Sequence, residues 1–243
     1  GVSTDEAEMQ IRAFTNYFQL VNLAEDNERI RRIHRREAAN APAPRRGSIA
    51  EAIAIVKDRG VTPDQMRQLL RDARIKLVLT AHPTEARRRT TIDKQARLFR
   101  MLRDLDERTG LPQNEERLRT RAASTIAELW GSNEVRAVQP TVIDELQAGL
   151  VHFRSTIINV VPAIYRDLEE ALAQTWPEEF IEVPPFLTFG TWVGGDRDGN
   201  PNVTPALTHE ALGLLRSTAL DVLDSRLVEL AGRLSLSTHV AGE

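Results

Sequence analysis

Residues 76–89 read KLVLTAHPTEARRR, a short apolar run that stops at a histidine and a proline and then turns basic. Leu77, Val78 and Leu79 are too few for a helix, and Pro83 lacks the amide that a central strand must donate. The run predicts a strand buried on both faces, as in a parallel sheet. In barrels of parallel strands the loops at the carboxyl ends carry the chemistry, so His82, just past the run, stands where a functional group is expected. Thr84 and Glu85 then open a helix whose first turns hold Arg87, Arg88 and Arg89.

A second stretch repeats this plan. Phe186-Leu187-Thr188-Phe189 is an aromatic and apolar strand candidate that runs into GTWVGGDRDGNP, residues 190–201. The loop admits three readings. Asp196, Asp198 and Asn200 alternate like the first ligands of a calcium loop, but a glycine stands fourth where the sixth is expected. Leu207 stands twelfth, where a bidentate glutamate belongs, so the calcium loop is rejected. Alternatively, Gly194 and Gly195 followed by Arg197 suit a phosphate or carboxylate, since glycines admit close backbone amides and a guanidinium grips an anion in bidentate fashion. In the third reading Asp196 and Asp198 hold the arginine in place.

TAHPTE with arginines at the sixth and seventh positions after the histidine, and WVGGDRDGNPNVT after a strand, resemble the two N-terminal motifs of phosphoenolpyruvate carboxylases. The flanking FQLVNLAEDNERIRR and PTVIDELQAGLVHF are similar to that family too, so the likeness covers nearly the whole chain. Family members are several times longer, which makes this chain look like an N-terminal fragment. Gly1 in place of an initiating methionine fits a chain cut from something longer.

Composition bounds the alternatives. A chain of 243 residues, 41% hydrophobic and 28% charged, can bury a sizeable core, and a formal net charge of -3 gives no reason to expect nucleic acid or a membrane surface. No cysteine is present, so disulfides and thiolate chemistry are excluded. No charged start precedes an apolar segment, and a cytoplasmic location is expected.

Most of the chain reads as helix. Ser3 to Glu6 has the side chains of a capping box and begins a long amphipathic helix with Phe14, Tyr17, Phe18, Val21 and Leu23-Ala24 as its core face. Its second half, Arg29 to Arg36, is a solvated end paired with Glu25, Asp26 and Glu28, or else a docking surface. AANAPAPRRG, residues 38–47, predicts a loop. Ser48 to Glu51 and Thr62-Pro63 start two further helices, with Gly60 punctuating between them. Residues 85–106 are expected to be helical with Ile92, Ala96, Phe99, Leu102 and Leu105 inward, followed by a helix from Glu115 to Trp130. Pro140 opens a very long helix lined by Val142, Leu146, Leu150, Phe153, Ile157 and Val161, with a kink at Pro162 and an end at Trp176-Pro177. Thr204-Pro205 caps a last helix through Leu214, Leu215, Ala219 and Leu230.

The expected fold is therefore mainly α, with long helices around a few short parallel strands. The resemblance makes it an incomplete TIM-like β/α barrel: residues 1–74 N-terminal helices, 75–243 the start of the catalytic barrel with inserted helices. It also implies the reaction, in which phosphoenolpyruvate and bicarbonate give oxaloacetate and phosphate through carboxyphosphate and an enolate. His82 would be the general base that takes a proton from carboxyphosphate, since imidazole exchanges protons near neutral pH and nearby arginines disfavour its charged form. A merely structural or exposed histidine is the alternative. Arg88 and Arg89 match family arginines that bind a sulfate or sugar phosphate activator in some members. As consecutive residues with Arg87, pointing about 100° apart, they are otherwise a helix's outer face.

The same resemblance makes Arg197 an active-site arginine positioned by Asp196 and Asp198. Trp192 would be a wall of the substrate pocket, with Gly194 and Gly195 beside it. Mg²⁺ or Mn²⁺ is expected with ligands outside this chain, as are a lysine and a mobile glycine-rich loop. The intact family forms a homotetramer, and the fragment alone is expected to be inactive. The rival from another class is a helical binding or assembly module with an anion site and no chemistry.

Overall fold

The computed structural model describes residues 3–80, 89–107, 112–132 and 140–234. Its elements follow in the order α1 (Thr4–Asn40), α2 (Ile49–Asp58), α3 (Pro63–Asp72), β1 (Ile75–Leu79), α4 (Arg89–Glu107), α5 (Pro112–Trp130) and α6 (Val142–His152). A π turn (Phe153–Ile157), α7 (Ile158–Thr175), β2 (Leu187–Thr191) and α8 (Pro205–Arg233) complete it. Two compact units result: Gly1–Glu51 with Arg87–Gln139, and Ala52–Ala86 with Pro140–Glu243.

The first unit is a helical group in which α1 and α5 pack on α4. Ser3 and Glu6 close the capping box at the start of α1, each satisfying the other's free backbone amide. The helix runs on to Asn40, further than the alanine- and proline-rich composition predicts. It stops because Ala41 precedes a proline and is driven to an extended ψ of 137°. The expected core face of α1 is overturned. Phe14, Tyr17 and Phe18 are 63%, 60% and 58% exposed, whereas Asn16 and Asn27 are buried. A different face docks, and it docks by hydrogen bonds: Asn27 donates to Asp106, and Gln95 donates to Gln19 at 2.9 Å.

The charged half of α1 is exposed, and of the three acids expected to pair with it Glu28 does so, collecting Arg31, Arg32 and Arg35 at 3.3 to 3.6 Å, while Arg31 also reaches Asp106 at 3.5 Å. On α4 the buried positions are Thr91, Leu98 and Met101, and Ala96 is exposed. Its inward arc is rotated from the expected one because α4 meets both α1 and α5.

In the second unit, Thr62 caps α3 and Thr141 caps α6 through capping boxes with Gln65 and Asp144. The start of α6 thus lies at Thr141 and not at Pro140, since proline has no side-chain acceptor to offer. Val142, Leu146 and Leu150 are buried as their spacing predicts. The helical path continues through Pro162 inside α7. Its irregularity is the π turn immediately upstream.

Strands β1 and β2 pair in parallel, from Ile75 opposite Leu187 to Leu79 opposite Thr191. Parallel pairing matches the sequence reading; burial on both faces does not. Ile75, Leu77 and Val78 are 48%, 49% and 43% exposed, because a sheet of two strands leaves β1 without a covering layer among the described residues. β2 is better housed. Phe189 meets Phe153 edge-on at 5.1 Å, and the Tyr165 ring lies 4.8 Å from that of Phe186. Among the described residues no helix is long and apolar enough to cross a membrane.

Candidate functional site

The site is built where the two strands end. Parallel pairing sends the following loops off from the same edge of the sheet, and the pairing continues one step further: the Trp192 amide donates to the Leu79 carbonyl at 3.1 Å. The chain after Leu79 and the loop from residue 192 therefore leave from adjacent points. His82 and Arg88 lie outside the described residues, as does the side chain of Arg89.

The loop after β2 is a succession of tight turns. Thr191 Oγ1 accepts from the Val193 amide at 3.0 Å, and the Trp192 carbonyl accepts from both Gly195 and Asp196, at 3.0 and 2.9 Å. Asp196 Oδ1 accepts from the Asp198 amide at 3.0 Å, and Asn200 Oδ1 accepts from the Asn202 amide at 3.0 Å. Both bonds span two residues, the local closure that Asp and Asn offer in place of a backbone turn. Thr204 then caps α8, accepting from the Leu207 amide at 3.2 Å.

Gly194 has a structural reason to be glycine. Its φ of +81° lies in the left-handed region, and a Cβ there would sit 2.7 Å from Ala211 Cβ on α8. The loop is thereby seated on α8, whose Ala211 packs with Leu146 and Leu150 of α6, and Val193 joins the same cluster. Gly195 is exposed, and its amide is already taken by Trp192, so backbone binding of an anion there would compete with the turn.

Tyr165 is a contributor that sequence reasoning missed. Its hydroxyl accepts from the amides of Phe186 and Leu187, at 2.9 and 3.1 Å. It fixes the entry to β2 and hence the start of the loop. No local pattern announces it, since donor and acceptor lie 21 and 22 residues apart.

Trp192 presents its indole to solvent at 57% exposure, and Arg197 is exposed beside Asp196 and Asp198. Neither acid forms an ion pair with Arg197 among the described residues; Asp196 instead shapes the turn that displays it. Arg197 is therefore a permanently charged fork donor on a braced loop, open to an anion. No group of three or more histidine, aspartate or glutamate side chains that could hold a metal ion occurs among the described residues.

The family model for phosphoenolpyruvate carboxylase matches residues 1–243. The chain is 42% identical over 240 residues to the phosphoenolpyruvate carboxylase of Roseiflexus castenholzii, which covers 97% of this chain and 25% of that protein. With the carboxylase of Rhodothermus marinus it shares 41% identity over 96% of its own length and 25% of the relative's. With that of Rhodopseudomonas palustris it shares 37% over 100% and 26%. The chain thus spans about a quarter of the length of the curated relatives it matches.

Proposed function

The chain belongs to the phosphoenolpyruvate carboxylase family, and from that premise we propose that it is the N-terminal part of an enzyme that carboxylates phosphoenolpyruvate with bicarbonate, giving oxaloacetate and phosphate. The observation that supports the reading is the parallel register of β1 and β2, by which the chain after Leu79 and the loop after Thr191 leave the sheet from adjacent points. One imidazole and one guanidinium would then overlook a common hollow at the carboxyl ends of the strands. The two strands are the first of a TIM-like barrel, with 1–74 as N-terminal helices and 75–243 as the start of the catalytic barrel with inserted helices. The rest of the barrel lies in the remainder of the protein.

The roles follow from what the reaction demands. Phosphoryl transfer to bicarbonate is helped chiefly by positioning and by cations that offset developing negative charge. Arg197 serves there as a bidentate donor, and Asp196 and Asp198 act through the turn that displays it. Trp192 walls the pocket, with Gly194 and Gly195 setting the path of the chain beside it. His82 takes the proton from the carboxyl group of carboxyphosphate, which releases CO₂ to the enolate. Arg88 and Arg89 form an anion site for a sulfate or sugar phosphate. Mg²⁺ or Mn²⁺ would be held by residues outside this chain and would supply positive charge that offsets the charge developing in phosphoryl transfer. The intact protein would be a cytoplasmic homotetramer.

The test uses the full-length protein. In a malate dehydrogenase-coupled assay, His82→Asn is expected to lower kcat by roughly 10²- to 10⁴-fold, the usual contribution of a general base. A rate within twofold of the wild type would sink the assignment and favour a helical binding module. Residues 1–243 alone are expected to show no turnover above blank, because the groups that must act together are divided between this chain and the rest.

A further inference from the structure

The second half of α8 carries leucines at 220, 223, 227 and 230, with Leu234 at its cap, a spacing of three and four residues. That spacing sets them along one seam of the helix, as in the a and d positions of a coiled coil. All five are open, at 53%, 59%, 62%, 49% and 64% exposure. The first half of the same helix behaves differently: Ala211 and Thr218 are buried.

Most of the charges near the seam are committed to one another, while Asp224 beside it is exposed without an ion pair among the described residues. Glu229 accepts from Arg226 at 2.9 Å and from Arg233 at 2.5 Å. Arg226 also reaches Asn159 on α7, and Arg154 pairs with Asp221 at 3.2 Å. These ties lead back to the π turn and α7, leaving the leucines as an apolar strip with Asp224 at its edge. A contiguous apolar strip of this length marks an interaction surface.

We propose that this seam seats an amphipathic helix supplied by the same polypeptide beyond Glu243 in the full-length carboxylase. The inference rests on the reading that the chain is the N-terminal part of a longer protein. A helix is the fitting occupant because leucines spaced three and four apart offer holes for knobs of the same spacing. The same polypeptide is the fitting source for two reasons. The matched relatives are about four times as long as the part this chain covers, so a large length of chain is there to supply it. The seam also occupies the last described turns, where a following segment is held at an effective concentration in the millimolar range, which a second copy does not reach.

The experiment is photocrosslinking in the full-length protein with benzoylphenylalanine at position 228, beside the seam and 66% exposed, so that the leucines themselves are kept. A mixture of isotopically labelled and unlabelled protein separates links within one chain from links between two. Links within one chain to residues beyond 243 are expected. In parallel, amide hydrogen exchange over 220–234 should be at least tenfold slower in the full-length protein than in residues 1–243. Links only between labelled and unlabelled copies would overturn the inference in favour of a dimer seam. Exchange rates within twofold of each other would overturn it outright. The coupled carboxylase assay on the same sample keeps the two proposals apart: an inactive protein with downstream links refutes the catalytic reading alone, and an active one without them refutes the seam alone.

Discussion

Helices α6 and α8 carry nearly the same signal and meet opposite fates. Val142, Leu146 and Leu150 recur at fours on α6 and are 8%, 3% and 7% exposed; Leu220, Leu223, Leu227 and Leu230 recur at threes and fours on α8 and are 49% to 62% exposed. Periodicity says that a helix has an apolar face. It does not say what stands against it. On α6 the partner is at hand, the Ala211 turn of α8 with Val193 of the loop. On the later turns of α8 no described element fills that role. β1 repeats the lesson, with a strand's apolar run and the exposure of a sheet edge.

The largest effect that would sharpen this contrast is expected from Leu146→Ala. Removing a fully packed side chain should cost about 2–5 kcal/mol in chemical denaturation, whereas Leu227→Ala on the open seam should stay within about 0.5 kcal/mol in residues 1–243. Equal costs would erase the distinction between the two helices.

Next comes Gly194→Ala, which tests how the loop is tied to the packed side of the comparison. The left-handed conformation costs an added side chain about 1–2 kcal/mol, and overlap with Ala211 about 1–3 kcal/mol more. A double variant with Ala211→Gly should recover the second part only. Full recovery, or none, would show that Gly194 is not held as its φ and its 2.7 Å approach indicate.

Tyr165→Phe is expected to cost about 1–3 kcal/mol, since two amides lose their shared acceptor while the ring keeps its place. In the full-length enzyme it should lower kcat/KM by loosening the Arg197 loop. An unchanged rate together with lost stability would confine Tyr165 to the fold.

The smallest effect concerns the charged flank of α8. Hydrogen bonding by Arg226 and the charge of Arg233 hold the Glu229 carboxyl below its ordinary value. A depressed value means that the contribution is complete above the unfolded value of about 4.3 and fades as pH falls through the folded one. Side-chain NMR should show Glu229 titrating below a free glutamate, with the shift reduced by Arg226→Ala. An unmoved midpoint in that variant would break the triad.

Much of the local structure was legible in the residues. Ser3, Thr62 and Thr204 announce helix starts because a hydroxyl three residues before a free amide caps it whatever lies elsewhere. Proline at 177 marks where α7 ends, and both strand runs pair in parallel. What failed in the reading was mostly non-local. Phe14, Tyr17 and Phe18 look like a core face, yet polar contacts of Asn27 and Gln19 decide how α1 docks. The candidate loop was found from WVGGDRDGNPNVT, but its bracing by Tyr165 and Ala211 was not, because neither contact has a sequence pattern.

By itself, then, the sequence determined most of the helix starts, the parallel strand pair and the family, because caps, breakers and motifs act within a few residues. Tertiary structure alone decided which apolar faces are covered, why Gly194 must be glycine and that Tyr165 holds β2. Those depend on surfaces brought together from distant parts of the chain, and burial is a property of the pair of surfaces.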